Sequence, residues 1–265
     1  MTDTRSVKLT VCGKTDLGKR RPKNEDDLAM VDLTTALEFE PPIDQAEVTV
    51  GDRGILLAVA DGVGGHRAGE IASALALEAL SHEMESLAQG CPRQTLFKCA
   101  VENVNQRVWQ EAKTEPRLHG MATTLTAAVI CHRRAIIAHV GDSRAYFLRG
   151  GSIQQVTRDQ SFVASMVACG ALTEAQAELS PFRSTITQAI GLESTVDVAL
   201  DAVELEKGDM LLLCTDGLSN KVSPEDMVKA LASGSPAAAV QELIALANLR
   251  GGQDNITVEI ARIEE

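Results

Sequence analysis

The sequence predicts an α+β fold in which two antiparallel β-sheets carry helices on their outer faces. Runs typical of strands occur in blocks separated by pairs of helical stretches, whereas a parallel sheet would need regular alternation of strand and helix. The chain has 265 residues, of which 45% are hydrophobic, so it can bury a large core. We find no internal repeat or low-complexity linker and therefore expect one continuous domain over residues 1–265.

The first half of the chain contains two strand-like runs and two helical stretches. Residues 7–12 and 55–60 indicate strands, and the second run, ILLAVA, is apolar throughout, as expected of a buried strand. Residues 33–54 contain two consecutive prolines and several acids, which indicates a loop or a hairpin. Apolar side chains recur at helical spacing over 68–88 and 93–112, and this spacing predicts helices.

The second half is rich in strand-like runs and ends on a helix pair followed by a strand. Residues 160–180 indicate a mixed, irregular helical segment. The remaining helices are expected at 224–233 and 236–248. Strands are expected at 123–130, 135–140, 145–148, 196–203, 210–215 and 256–263.

The acidic balance of the chain argues against some partners. Its formal net charge is −12, whereas nucleic acids and anionic membranes bind positively charged surfaces. No apolar run near the N-terminus is long enough for a signal peptide, and none approaches the ~20 residues of a membrane-spanning helix. We therefore expect a cytoplasmic protein with no membrane or nucleic-acid partner. No heptad run or apolar surface strip indicates self-association, so we expect a monomer.

Cysteine spacing indicates neither a metal site nor a redox motif. No Cys-x-x-Cys pair occurs, so zinc binding is not expected, and a disulfide framework would be unusual for a chain of this size. The scattered cysteines, mostly with apolar neighbours, suit a reducing cytosol. The six cysteines are Cys12, Cys91, Cys99, Cys131, Cys169 and Cys214.

Four aspartates stand out because each lies beside a hydrophobic strand. Asp61 follows ILLAVA, and Asp216 follows MLLLCT. Asp142 lies two residues after AIIAHV, and Asp254 lies just before ITVEIARI. Carboxylate oxygens are the ligands that Mg²⁺ and Mn²⁺ prefer, and a strand end holds its side chain rigidly. A lone Asp-Gly is usually only a turn, but several such acids together predict a cation site.

A charged segment near the N-terminus supplies a candidate phosphate anchor. Arg21 precedes the carboxylates of Glu25 and Asp26 by four and five residues. A guanidinium binds a phosphate dianion through two hydrogen bonds, which suits a substrate anchor beside a metal site. Taken alone, such a segment is more often a solvated loop.

Seven short motifs follow one another along the chain and carry a family resemblance. They are Gly18 with Arg21-Pro22-Lys23-Asn24-Glu25-Asp26, Asp61-Gly62-Val63-Gly64-Gly65-His66, Gly69-Glu70, Met121-Ala122-Thr123-Thr124, Gly141-Asp142-Ser143-Arg144, Thr215-Asp216-Gly217-Leu218 and Asp254-Asn255. In this order, over nearly the whole chain, they resemble the metal-dependent protein phosphatases, the type 2C (PPM) serine/threonine phosphatases in their bacterial form.

The resemblance implies a four-layer α-β-β-α sandwich with two metal ions, Mn²⁺ or Mg²⁺, at one end of the paired sheets. By this analogy Asp61 bridges the two ions, and the carbonyl of Gly62 binds one of them. Asp216 and Asp254 would hold the other ion. Glu25 would reach the ions through water.

The resemblance also implies the reaction, the substrate and the remaining roles. A water shared by the two ions would attack phosphoserine or phosphothreonine directly, which reverses the action of a serine/threonine kinase. The partners would be a phosphorylated protein and a cognate kinase. Arg21 would bind the phosphate, and Asp142 would serve a third, weaker metal site. His66 would be either the general acid for the leaving oxygen or a loop histidine that orients a carboxylate.

Further residues depart from the family pattern or have supporting roles. Bacterial relatives carry His, Gly and Asn where this chain has Gln160, Ala122 and Ser184. These departures lie in or near a flap over about 160–190, which we expect to set peptide specificity. His139 is expected to be structural, and Asn255 to orient Asp254 by a hydrogen bond.

Two rival functions use the same fold. One is a phosphopeptide-binding domain without catalysis, which loss of Asp216 or Asp254 would have favoured, yet both acids are present. The other is a phosphoesterase for small phosphates, for which the hydrolytic centre would be the same. Comparing a phosphopeptide with a sugar phosphate as substrate would separate it from a protein phosphatase.

Overall fold

The computed structural model describes residues 7–63, 68–87, 90–232 and 234–264. Its strands are β1 (Lys8–Asp16), β2 (Asp26–Asp32), β3 (Leu37–Phe39), β4 (Ile43–Thr49), β5 (Ile55–Val63), β6 (Ala122–Thr123), β7 (Leu125–Cys131), β8 (Arg134–Val140), β9 (Arg144–Arg149), β10 (Ser152–Gln155), β11 (Ala199–Glu204), β12 (Met210–Cys214) and β13 (Ile256–Ile263). Its helices are α1 (Gly69–Ser86), α2 (Gln94–Thr114), α3 (Phe162–Ala168), α4 (Glu174–Glu178), α5 (Asp216–Ser219), α6 (Pro224–Ala232) and α7 (Pro236–Leu249). None of the helices in these ranges is both long and apolar enough to cross a membrane.

The strands form two antiparallel sheets. In the first sheet the order is β10-β9-β12-β13-β1-β4, and in the second it is β11-β8-β7-β5-β2-β3, with β6 paired to β5. The central strands β13 and β5 therefore come from opposite ends of the sequence. As a result, acids that lie far apart along the chain can meet at one end of the two sheets.

The layers follow from alternation of apolar side chains along each strand. In β5, Leu56 and Ala58 pack with α1 and α2, whereas Leu57 and Val59 pack against the first sheet. In β13, Ile260 packs with α6 and α7 on the opposite outer face. Because successive side chains of a strand point to opposite faces, a strand covered on both faces is expected to be largely apolar. The predicted four-layer α-β-β-α sandwich is confirmed.

Most predicted elements agree with the structure within a few residues, but the strands β2 and β10 were not predicted. Two further segments differ from the prediction. The segment 33–54, predicted as a loop or a hairpin, contains the strands β3 and β4. These two strands do not pair with each other, because β3 pairs with β2 in the second sheet and β4 pairs with β1 in the first sheet. Buried Ile43 and Val48 of β4 explain this, because they add to the core between the sheets. The strand β5 also continues past its predicted end to Val63, because β6 pairs with its last residues.

The expectation that a disulfide would be unusual in this chain was wrong for Cys91 and Cys131. These two residues form a disulfide with their Cα atoms 5.9 Å apart, although 40 positions separate them in the sequence. Spacing along the chain could not predict this pair, because the fold brings the segment after α1 to the end of β7. The other four cysteines are free, Cys12 and Cys214 being buried and Cys99 and Cys169 exposed.

Candidate metal centre

The predicted acids converge at one end of the sandwich. Asp61 lies in β5 directly opposite Asp26 of β2. Asp216 is the first residue of α5, immediately after β12. Asp254 lies in the turn before β13, and Gly217 packs so tightly on this turn that a Cβ atom there would overlap the carbonyl oxygen of Asn255. This close approach of two backbones brings Asp216 and Asp254 together.

Two threonines hold the backbone of Asp61. The hydroxyl of Thr124 accepts a hydrogen bond from the Asp61 amide at 3.0 Å, and the hydroxyl of Thr123 donates to the Asp61 carbonyl at 2.9 Å. Both threonines are fully buried. The sequence motif that contains these threonines did not indicate this role. Ala122 is buried in β6 opposite Val63, where it pairs through its backbone.

The start of α1 joins Glu25 to Gly62. The Gly62 amide donates to the Glu25 carbonyl at 3.0 Å, and the hydroxyl of Ser73 donates to the same carbonyl at 2.7 Å. A Cβ atom on Gly69 would lie 3.0 Å from Glu25 Oε1 and 3.0 Å from the Gly62 carbonyl oxygen. Gly69 thus packs closely on both the Glu25 carboxylate and the Gly62 carbonyl, and its lack of a side chain lets these two candidate ligands lie near each other.

Asn255 supports Glu25 through its side chain, and the predicted hydrogen bond from that side chain to Asp254 is absent among the described contacts. Its amide oxygen accepts from the Glu25 amide at 2.9 Å, and its amide nitrogen donates to the carbonyls of Leu17 and Lys23 at 2.9 and 3.0 Å. Only its backbone amide donates to the Asp254 carboxylate, at 2.9 Å. Asn255 thus ties the N-terminal charged segment to the turn before β13.

The substitution Asn255→Ala is expected to lower the free energy of unfolding by about 1–3 kcal/mol, because it removes three hydrogen bonds from a buried side chain. Urea unfolding of the metal-free protein would measure this. Asn103→Ala is the matched control, since exposed Asn103 makes one surface hydrogen bond to Glu83, and we expect it to change stability little. Equal effects of the two substitutions would contradict the role of Asn255.

Arg21 lies at the rim of the centre and pairs with Asp254. Its Nε lies 2.8 Å from Asp254 Oδ1, and its Nη2 donates to Oδ2 at 2.8 Å, so both carboxylate oxygens are engaged. Its Nη1 lies 3.9 Å from Glu25 Oε2. The Arg21 side chain is 41% exposed, so the guanidinium is open to a ligand from solvent.

Gln160 fixes the loop that carries Asp142. The side-chain oxygen of Gln160 accepts a hydrogen bond from the Gly141 amide at 2.8 Å. The backbone amide of Gln160 donates to the Gly141 carbonyl at 2.7 Å. Arg144 binds both oxygens of Asp159 at 2.9 and 2.7 Å and so anchors the start of the flap. The departure at Gln160 thus has a structural role that the sequence did not indicate, whereas Ser184 is exposed on the flap.

Four carboxyl groups at this end of the sandwich have raised pKa values. Burial raises the pKa of Asp61 well above its ordinary value, and the nearby charges of Asp26, Asp216, Asp142 and Asp254 raise it further. Burial also raises the pKa of Asp216 to about 6, with Asp254 as the next cause. The pKa values of Asp26 and Asp142 rise to about 7, again chiefly through burial. A bound cation would relieve this repulsion.

The residues fit divalent metal ions that prefer oxygen ligands. All candidate donors are carboxylate or carbonyl oxygens, and buried Asp216 Oδ1 has no hydrogen-bond partner in the described part of the chain. Among the same residues, no three of the carboxylates bring oxygen atoms within 4.8 Å of one another. Arg21 holds Asp254 through both carboxylate oxygens in this arrangement.

Of the two histidines that the sequence indicates, the structure describes only His139. His66 lies outside the described residues, together with the neighbouring glycines of its motif. His139 is buried in β8, and its Nδ1 lies 2.8 Å from the Thr126 hydroxyl. Burial lowers the pKa of His139 to about 4, so it is neutral at pH 7. This agrees with the structural role expected for His139.

Comparison with known proteins identifies close relatives. The family model described as protein phosphatase 2C matches residues 40–249. The serine/threonine protein phosphatase PstP of Mycobacterium tuberculosis is 42% identical over 209 residues, which is 78% of this chain and 40% of the relative, so this chain spans less than half of that protein. A putative protein phosphatase 2C-type of Streptococcus pyogenes is 37% identical over 258 residues, covering 95% of this chain and 96% of the relative.

Solved structures show the same architecture. The crystal structure of the M. tuberculosis phosphatase PstP/Ppp has a TM-score of 0.82 at 36% identity and covers 98% of this chain and 100% of its own. The catalytic domain of PstP in complex with two manganese ions has a TM-score of 0.81 at 34% identity, with the same coverage. An α-β-β-α sandwich with oxygen donors at one end defines the fold class of the metal-dependent phosphatases. This chain belongs to the protein phosphatase 2C family.

Proposed function

We propose that this protein is a metal-dependent serine/threonine protein phosphatase whose catalytic domain spans residues 1–265. The observation that carries the proposal is the convergence of Asp61, Asp216 and Asp254, contributed by both sheets, with Arg21 beside them at the rim. Relatives named as serine/threonine phosphatases support the activity.

The acids would hold two divalent cations, Mn²⁺ or Mg²⁺. Asp61 would bind both ions and the Gly62 carbonyl one of them, with Asp216 and Asp254 on the other. Glu25, whose carboxylate lies beside the same glycine as the Gly62 carbonyl, would act through water. Bound cations would activate a water molecule and screen the phosphoryl oxygens. Asp142, held by the Gly141–Gln160 hydrogen bonds, would serve a third, weaker site.

Arg21 would bind the substrate phosphate. In the structure it uses both oxygens of Asp254, and a cation on Asp254 would compete for those oxygens. The exposed guanidinium would then be available for two hydrogen bonds to phosphoryl oxygens, which its planar geometry matches. Arg21 thus orients the phosphate over the acids. His66 is proposed as either the general acid or a residue that orients a carboxylate.

The proposed substrate is a phosphorylated protein, and the proposed partner is the serine/threonine kinase that phosphorylates it. We propose a cytoplasmic, monomeric protein that acts without a membrane or nucleic-acid partner, in keeping with its net charge of −12. The exposed Arg21 and the flap together favour a peptide chain over a small sugar phosphate, because the flap offers side-chain contacts beyond the phosphate.

Phosphate release from a phosphothreonine peptide tests the activity. We expect release with Mn²⁺ and none with excess EDTA, and restored release when Mn²⁺ is returned. A sugar phosphate assayed in parallel should be a much poorer substrate. If the folded protein with Mn²⁺ releases no phosphate from several phosphopeptides or from a small aryl phosphate, a binding module becomes the better interpretation.

The flap presents an apolar surface that we expect to contact substrate peptides. Phe162 and Phe182 stack edge to face with ring centroids 5.7 Å apart, and Phe182 is 56% exposed. The substitution Phe182→Ser should raise KM for a phosphopeptide several-fold and leave turnover of a small aryl phosphate unchanged. Leu249→Ser is the matched control, because Leu249 is 78% exposed at the end of α7. An unchanged peptide KM would contradict the role of the flap.

A further inference from the structure

The disulfide partners differ in exposure and have a histidine beside them. Cys91 is exposed in the segment between α1 and α2, whereas Cys131 is 5% exposed at the end of β7. His132 follows Cys131 in the turn to β8, with a left-handed backbone at φ 53°. The two sulfurs and a ring nitrogen of His132 all lie within 4.8 Å of one another. The exposed sulfur of Cys91, the buried sulfur of Cys131 and the imidazole of His132 as a proton donor thus lie together, away from the acidic centre.

We propose that Cys91, Cys131 and His132 form a reversible thiol–disulfide site that exchanges with small thiols of the glutathione class. Its redox state would set the thermal stability of the protein and leave its catalytic constants unchanged. The proposal does not depend on the phosphatase activity, because it concerns a separate part of the molecule.

The exposure of the two sulfurs gives the order of events. A small thiolate attacks Sγ of exposed Cys91, the Cys91–Cys131 bond breaks, and the electron pair leaves on Sγ of Cys131. His132 can donate a proton to this leaving sulfur. A second small thiolate then attacks the sulfur of the first small thiol in the mixed disulfide, and Sγ of Cys91 leaves with the electron pair and takes up a proton. Two small thiols thus become one small disulfide, and the protein gains two thiols. Oxidation is the reverse, with the small disulfide as the oxidant.

The surroundings indicate that reduction loosens only a short segment. The Cys131 sulfur lies 3.6 Å from the Asp52 carbonyl oxygen, which can accept a hydrogen bond from the thiol once it forms. The C-terminal end of α1 is held separately, because Arg53 donates to the carbonyls of Met84 and Glu85 at 2.8 and 2.6 Å. The helix that contacts Glu25 through Ser73 therefore keeps both of its ends in place.

The disulfide closes a long loop in the unfolded chain, and this explains its effect on stability. The residues between Cys91 and Cys131 include all of α2, whose Phe97 and Val104 are fully buried in the core. A cross-link over this separation restricts the unfolded chain. Reduction is expected to lower the Tm by roughly 5–10 °C, given the size of the loop and of the protein.

Thiol mapping in glutathione buffers tests the proposal. The full-length protein is equilibrated at graded ratios of reduced to oxidised glutathione and then alkylated, and the labelled cysteines are identified by mass spectrometry. Cys91 and Cys131 should become labelled together over one range of ratios. Exposed Cys99 should be labelled as a free thiol under reducing conditions and should show no transition coupled to that pair, and it serves as the internal control. His132→Ala should slow the exchange several-fold.

Stability and activity measurements separate the outcomes. Cys91→Ser should have the Tm of the reduced protein, whereas Cys99→Ser should keep the redox-dependent shift. The kcat and KM at 25 °C should agree within about two-fold between the two redox forms, because the catalytic acids are untouched. A pair that stays oxidised at every ratio, or that never forms, would overturn the proposal. One equivalent of zinc on the reduced protein, lost in His132→Ala, would overturn it in favour of a metal site.

Discussion

Asp216→Asn is expected to lower kcat for a phosphothreonine peptide by roughly 10³-fold or more, since loss of a direct metal ligand should exceed the 10–100-fold cost of losing an outer-shell partner. The amide is close in shape to the carboxylate, so the hydrogen bond with Asn220 can be retained. What the substitution removes is a charge at the centre of the acidic cluster. Steady-state phosphate release with saturating Mn²⁺ measures the effect.

The metal-free stability of Asp216→Asn distinguishes a lost ligand from a damaged fold. Asp216 is half-buried among like charges, and the burial of its carboxyl together with Asp254 raises its pKa. Neutralising it should leave the Tm in EDTA unchanged or raise it, while the rise in Tm on adding Mn²⁺ should shrink. Asp201→Asn, on the exposed side of β11, is the matched control and should behave as wild type. A variant with normal activity, or one that is unfolded in EDTA, would contradict the proposed role.

The helices and strands were predicted best where the apolar pattern alone determines the element. The strand β13 has its predicted bounds because eight residues with both faces covered must be largely apolar. The helix α1 lies within two residues of its predicted ends for a similar reason, since its apolar face repeats at helical spacing. The crossing of β4 to the other sheet was missed, because local patterns do not determine which sheet a strand joins.

The acids of the candidate site could be predicted from the sequence, whereas the residues that hold the site in place by hydrogen bonds could not. Asp61, Asp216 and Asp254 could be found because carboxylates beside apolar strands carry a chemical signal of their own. The groups that support these acids could not be found in this way, because the hydrogen bond that the Glu25 amide donates to the Asn255 side chain joins residues 230 positions apart. The same limit applies to Cys91 and Cys131, which only the folded chain brings together.

One buried acid outside the metal centre has a carboxyl group with no hydrogen-bond partner in the part of the chain that the structure describes. Glu259 is in the middle of β13 and is fully buried, and neither of its carboxyl oxygens has a hydrogen-bond partner within the described residues. It lies opposite Gly13 of β1, where a Cβ atom would lie 3.4 Å from Glu259 Cγ. The missing side chain of Gly13 thus leaves room for the glutamate. Burying a carboxyl without partners is costly, so this position should lower the stability of the protein.

Replacing this carboxyl by an apolar group of similar size should stabilise the fold. We expect Glu259→Leu to raise the free energy of unfolding by about 2–4 kcal/mol at pH 8, because a well-packed apolar residue commonly gives a more stable protein than a buried ionisable one. Glu259→Gln should raise the free energy of unfolding by less, since the glutamine amide would remain without hydrogen-bond partners. Urea unfolding of the metal-free protein measures both, and Glu47→Leu on the exposed face of β4 is the matched control.

The gain from Glu259→Leu should depend on pH in one direction. Burial raises the pKa of Glu259 well above its ordinary value of 4.5, so the folded protein keeps this proton after the unfolded chain has lost it. Above pH 4.5 the folded state therefore binds more protons, and the stability of the wild type falls as the pH rises towards the raised pKa. The advantage of Glu259→Leu should be small at pH 4.5 and large at pH 8. An advantage that is equal at both pH values, or a loss of stability at pH 8, would mean that the carboxylate has a stabilising partner in the core.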